Sequence, residues 1–195
     1  MPKRNKSENS KGSKDEKASK RAKGDSSSIS ASNKANEPNK EKLLLEKYKN
    51  KKEKLCFNEV KGDLFQSNPN VSLAHCVSLD FKMGAGIAVE FKKRFKGTGE
   101  LTEQNKELGQ CAYLKRDTRH IFYLITKKVY NQKPNYVVLE KCLLDLLALC
   151  KTFNVQELAM PRIGCGLDNL DWDYVSRIID GIFESSGIQI TVYYL

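Results

Sequence analysis

Lys127 and Lys128 close an apolar stretch, and Asp168 closes the run Pro161-Arg162-Ile163-Gly164-Cys165-Gly166-Leu167. A lysine amine that has shed its proton attacks an electrophilic sugar carbon or an opened aldose carbonyl, and Lys128 beside Lys127 would favour that loss. A carboxylate beside a glycine loop could shuttle protons to and from a sugar hydroxyl or a leaving group. Both residues also have plain readings. Strand-end lysines are commonly solvated, and an aspartate before a helix is commonly a cap. Asp171, three residues later, is able to take the capping role instead.

Two glycine loops stand on either side of Lys127 in the chain, Met83-Gly84-Ala85-Gly86 and Gly164-Cys165-Gly166. Glycine lets backbone N–H groups come close to an anion, and a following helix N-terminus adds a favourable dipole. Two such loops facing one crevice would suit a diphosphate, although glycine between strand and helix also serves simple turn geometry. Neither loop fits GxGxxG or GxxxxGK[ST], which argues against a dinucleotide-fold site and a P-loop. Asp63 after Gly62 could accept hydrogen bonds from a base or a ribose, or merely make a Gly-Asp turn. Arg162 could meet a phosphate or a surface carboxylate. Cys165 has no histidine partner visible in the sequence, so cysteine chemistry is not expected.

The elements that must carry these residues alternate. Strands are expected at 56–60, 71–77, 111–115, 121–127, 157–160 and 189–194, with 111–115 and 121–127 paired around a turn. Helices are expected after Gly86, with Ile87, Ala88, Phe91 and Phe95 on one face; over 101–108; over 136–153 after Pro134; and after Asp171, bearing Val175, Ile178, Ile179, Ile182 and Phe183. Such alternation indicates a layered α/β fold, with ligands outside the strand ends.

Charge divides the chain. Residues 1–54 hold 17 Lys and Arg against 8 Asp and Glu, whereas residues 55–195 hold 17 against 16. The first stretch has no aromatic residue before Tyr48. It is expected to be a disordered basic tail, with a domain of about 140 residues starting near Leu55. Residues 40–54 are compatible with a short helix leading into that domain. The tail could hold polyanions such as nucleic acid through phosphate contacts, or serve only solubility or nuclear import. No run of about 18 apolar residues and no secretory leader pattern is present, so no membrane partner is expected and the setting expected is nuclear or cytoplasmic. Six cysteines show no CxxC, and with two histidines they give no finger-like spacing. Neither a metal nor a cofactor is expected.

The segments KGDLF (61–65), LAHCVSLDFKMGAGIAVEFKKRF (73–95), YLITKK (123–128) and MPRIGCGLD (160–168) resemble the macrodomain family, and within it members that release ADP-ribose from proteins. The likeness runs from about Phe57 to Leu195. It implies a three-layer α/β/α fold with a mixed, mostly parallel sheet. It also implies that Asp63 holds the adenine amino group while the Leu64 backbone positions the base. Met83, Gly84, Ala85, Gly86, Ile87 and Ala88 would form one diphosphate wall; Arg162, Ile163, Gly164, Cys165, Gly166 and Leu167 would form the other. Lys127 would attack the distal ribose, Asp168 would move protons, and Leu195 would close the pocket. Substrates implied are ADP-ribose esters of glutamate or aspartate on proteins and O-acetyl-ADP-ribose. The basic tail has no counterpart in the family pattern, and its charge excess alone makes poly-ADP-ribose, like nucleic acid, a polyanion it could attract. A monomer is expected. Where many macrodomains carry Asn-Ala-x-Asn, this chain reads His75-Cys76-Val77-Ser78, so an asparagine-and-water mechanism does not transfer. A non-catalytic ADP-ribose reader is the alternative.

Overall fold

The computed structural model describes residues 37–50 and 55–195. A six-stranded sheet forms the middle layer, in the order β1(Phe57–Lys61), β6(Gln189–Tyr194), β5(Glu157–Pro161), β2(Ser72–Ser78), β4(Arg119–Lys127), β3(Cys111–Arg116). All neighbours run parallel except β3 and β4, which form an antiparallel hairpin. The five parallel strands therefore end on one edge of the sheet. This is the mixed, mostly parallel three-layer arrangement expected from the sequence.

Strand periodicity sorts the core. Along β4, Phe122 and Leu124 join the cluster beneath α4(Tyr136–Thr152), α5(Trp172–Phe183) and α1(Glu37–Lys47). Ile121, Tyr123 and Ile125 face the other side, beneath α2(Ile87–Phe95) and α3(Thr98–Glu103). Helix α4 is a helix because Leu139, Cys142, Leu143, Leu146 and Cys150 recur on one face and are buried there. Its first turn is capped by Asn135, whose side chain accepts from the Val138 N–H at 2.8 Å. Each such leucine contributes about 1.5–3 kcal/mol of burial. In α5 the expected cap is present: Asp171 accepts from the Asp173 N–H at 2.8 Å.

Two expectations need correction. Ordered structure begins before Leu55, because α1 lies against the domain. Of the triplet Leu43-Leu44-Leu45, Leu44 is buried and Leu43 exposed. Lys47 Nζ and the Tyr48 hydroxyl both donate to Glu140 Oε1 of α4, at 2.8 and 2.9 Å. Leu44, the partly buried Leu45 and Tyr48 pack on the core, and Glu41 accepts from the Tyr136 N–H at 3.2 Å. The remainder of the basic stretch, residues 1–36 and 51–54, lies outside the described residues. The helix expected at 101–108 instead spans Thr98–Glu103. Leu101 is its one buried residue, and Asn105 at φ +48° turns the chain out.

Candidate active site

Lys127 ends β4 beside a break in alternation. Val77 pairs with Ile125, but Ser78 pairs with Lys127, so Thr126 is an extra residue. A bulge of this kind re-aims the side chains that follow it. In an uninterrupted strand Lys127 would share a face with Ile121, Tyr123 and Ile125. After the bulge it points to the α5 side, where the loop following β5 brings Asp168. Lys127 Nζ donates to Asp168 Oδ1 at 2.5 Å, with the side chains only 15% and 14% exposed. Asp168 thus pairs with the lysine while Asp171 caps α5. The carboxylate is the base in reach of the Nζ proton. Lys128, exposed beside them, is not needed for that step.

The glycine loops flank this pair. The second is internally braced: the Leu170 N–H donates to the Gly164 carbonyl at 2.8 Å, and the Cys165 thiol donates to the Ile163 carbonyl at 3.3 Å. Gly164 sits at φ +72°, and a Cβ there would lie 2.8 Å from Leu170 Cδ1. Gly166 faces open space. The first loop leads into α2 through Gly86 (φ +59°, ψ −153°), with no side-chain cap on the helix. Among the described residues, the N–H groups of Met83 to Ala88 and of Gly166 to Asp168 donate to no protein acceptor. Such donors, with a helix N-terminus behind one set, are an anion cradle. The loops approach each other where Leu167 Cδ1 lies 3.3 Å from the position a Gly86 Cβ would take. Met83 is buried in the core, so its contribution to a ligand wall is backbone.

Other expected residues fall on the same edge with mixed commitments. Asp63 Oδ1 accepts from the Phe65 N–H at 2.9 Å, so it makes the turn read from Gly-Asp. Leu64 is 2% exposed, so only its backbone is available to a base. Arg162 is engaged: Nε and Nη2 donate to Glu59 Oε2 at 3.0 and 2.5 Å, and the guanidinium lies over the Tyr194 ring. Trp172 Nε1 donates to the other Glu59 oxygen at 3.0 Å. Glu59 and Trp172 went unnoticed in the sequence, because nothing in the local pattern links residues 103 and 113 positions apart. Leu195, 97% exposed, packs on neither loop. Cys76, at the C-terminal part of β2, and Cys165 have thiols pushed up to about 12, mainly by burial, so neither is a ready thiolate. No metal-ligating cluster occurs among the described residues.

A parallel sheet edge carrying two glycine loops is typical of α/β ligand-binding domains, and residues 68–179 match the family described as Macro domain. The chain belongs to the Macro domain family. It is 54% identical over 136 residues to ADP-ribose glycohydrolase OARD1 of Homo sapiens, covering 70% of this chain and 90% of that protein. It is 26% identical over 144 residues to the DNA ADP-ribosyl glycohydrolase of Mycobacterium tuberculosis, covering 68% and 40%. Among solved structures, the macrodomain of Thermus aquaticus DarG aligns with a TM-score of 0.65 at 26% identity, over 71% of this chain and 98% of that one.

Proposed function

We propose that this protein hydrolyses the linkage between ADP-ribose and glutamate or aspartate side chains, and deacylates O-acetyl-ADP-ribose, with Lys127 as nucleophile and Asp168 as acid/base. At the coarser level the chain is a hydrolase, since relatives spanning most of its domain are ADP-ribose glycohydrolases. The observation that carries the finer reading is the mostly buried 2.5 Å Lys127–Asp168 pair between two anion-cradling loops.

In the first step Asp168 accepts a proton from Nζ. The freed amine attacks the anomeric carbon of the distal ribose. A C–N bond forms as the C–O bond breaks, and the carboxylate leaves with the bonding pair. Asp168 gives up its first proton to solvent; water then attacks the same carbon as the C–N bond breaks, and Asp168 takes the water's proton and passes it to the departing amine, which restores the ammonium–carboxylate pair. The N–H groups of the two loops would hold the diphosphate, while Asp63 and the Leu64 backbone would orient the adenine. Incubating the protein with an ester-linked ADP-ribosylated substrate, followed by mass spectrometry, tests this reading. Released ADP-ribose is expected; a tight complex with no release would make the protein a reader.

For the basic N-terminal stretch we propose retention near polyanions, poly-ADP-ribose or nucleic acid, in a nuclear or cytoplasmic setting, by a monomeric enzyme. Replacing Lys20, Arg21 and Lys23 with Gln should flatten the dependence of log K on log salt by about 0.9 per lost phosphate contact. An unchanged slope would remove that role.

A further inference from the structure

Helix α2 begins in the glycine-loop groove and ends, roughly 13 Å away at 1.5 Å per residue, beside a different concavity. This recess of about 470 Å³ lies between the end of α2, the start of α3 and the β3–β4 turn. Four cations line it, Arg94, Lys96, Arg116 and Arg119, against two carboxylates, Glu100 and Asp117. Arg116 is already committed. Its Nη2 and Nη1 donate to Glu100 at 2.7 and 3.2 Å, and its Nε donates to the Phe95 carbonyl at 2.9 Å. Arg94 donates from Nε to Glu90 at 3.4 Å.

Arg119 is different. Its Nη1 is buried and donates to no acceptor, while its guanidinium lies 5.9 Å from the Phe95 ring centre. A guanidinium donor withdrawn from water without an acceptor is costly, so an anion in the adjoining recess that drew the Arg119 guanidinium toward it would relieve that cost. Burial draws the Arg119 pKa down, and the nearby Asp117 charge opposes that only in part.

The floor is also specific. Gly97 adopts φ +72°, and a Cβ there would come within 2.7 Å of Glu100 Oε1 and closer still to Arg116 Nη2. Any larger residue would push those side chains into the space. We propose that this recess is a second phosphate-binding site, separate from the glycine-loop groove, in which Arg119 and Lys96 hold the anion over Gly97. The net positive lining favours a multiply charged oxyanion over a carboxylate, and Arg with Lys supplies the converging donors that phosphate takes. The site does not rest on the glycohydrolase reading.

Backbone and arginine side-chain 1H–15N spectra of the full chain test this, because they report the recess apart from the basic N-terminal stretch. The titrants are inorganic phosphate, AMP and a short oligothymidylate. Saturable shifts are expected at the Lys96 and Gly97 amides and at Arg119 Nε–H. Arg119→Ala should weaken binding about tenfold or more. Lys96→Gly, which accepts the φ +51°, ψ −147° backbone at that position, should weaken it in the same direction while leaving the fold intact. Saturation by phosphate and AMP alone marks a terminal-phosphate site; tighter binding of the oligonucleotide marks a backbone phosphodiester. Shifts that grow linearly without saturating, or equal binding by both variants and the parent, would overturn the proposal.

Discussion

The two glycine loops that frame the groove are held by different means. The loop at 162–168 is stitched to itself by hydrogen bonds from the N–H groups of Cys165, Asn169 and Leu170, and Ile163 and Gly164 are buried. The loop at 83–88 relies on Val89 N–H to the Gly86 carbonyl, on the buried Met83 and on Lys92 Nζ bonded to the Lys82 carbonyl at 2.9 Å. Its residues from Gly84 to Ile87 are exposed. The loop at 162–168 is therefore preformed and carries Asp168, whereas the loop at 83–88 is lightly tied. If both hold a ligand as proposed, ordering costs on binding should fall mainly on the loop at 83–88.

The contrast can be tested at several strengths. The largest effect is expected at the chemical pair beside the braced loop. Lys127→Arg keeps a cation but offers no free amine, so turnover should fall about a thousandfold or more while ADP-ribose binding persists. Asp168→Ala should let attack proceed but stall resolution, leaving an adduct with the mass of ADP-ribose on Lys127. Unimpaired turnover in either variant would sever the pair from the chemistry.

Next comes stability. Gly164→Ala meets both the positive φ and Leu170, and should cost about 1–3 kcal/mol in denaturant unfolding. Gly84→Ala finds only Lys82 Cγ at 4.0 Å and should change stability by less than about 0.5 kcal/mol. Equal losses would show the two loops to be equally braced.

Beneath α2, His75 is buried, stacked on Phe91 at 3.8 Å, and its ring nitrogens have no partner. Burial lowers its pKa from 6.5 to about 3. Between those values the unfolded chain binds the extra proton. The contribution of neutral His75 is thus intact above about pH 6.5 and is lost as pH falls toward 3, at up to about 1.4 kcal/mol per pH unit. Unfolding measured across that range should show a shallower slope in His75→Phe. An identical slope would place the acid sensitivity elsewhere.

The smallest effect should be at Gly166, where a methyl group meets no protein atom but would enter the space proposed for the ligand. Gly166→Ala should weaken ADP-ribose binding by a few-fold, with no change in Tm; calorimetry and a thermal melt separate the two.

Regular elements were legible because they repeat: alternation marked all six strands, and the apolar face of α4 marked its helix. Asp171 announced its own cap. What escaped depends on distance in sequence. Docking of α1 needs Glu140, more than ninety residues from its partners Lys47 and Tyr48. The clamp of Arg162 by Glu59 joins opposite ends of the domain. For α3, polarity suggested a helix further along, but one buried leucine and the positive φ at Asn105 set its true limits. Lys127 and Asp168 were each visible as residue types from the start. Their meeting was not, since it requires an extra residue that no propensity announces.

That extra residue, Thr126, makes the orientation of the amine a matter of reading frame rather than of residue choice. The lysine would turn toward α2 only if Thr126 stayed and paired with Ser78 in a regular strand. Deletion of Thr126 would instead put Lys127 directly after Ile125 and opposite Ser78, on the face it already occupies. The meeting of Lys127 with Asp168 thus depends on backbone register, which a comparison of residue types alone does not capture.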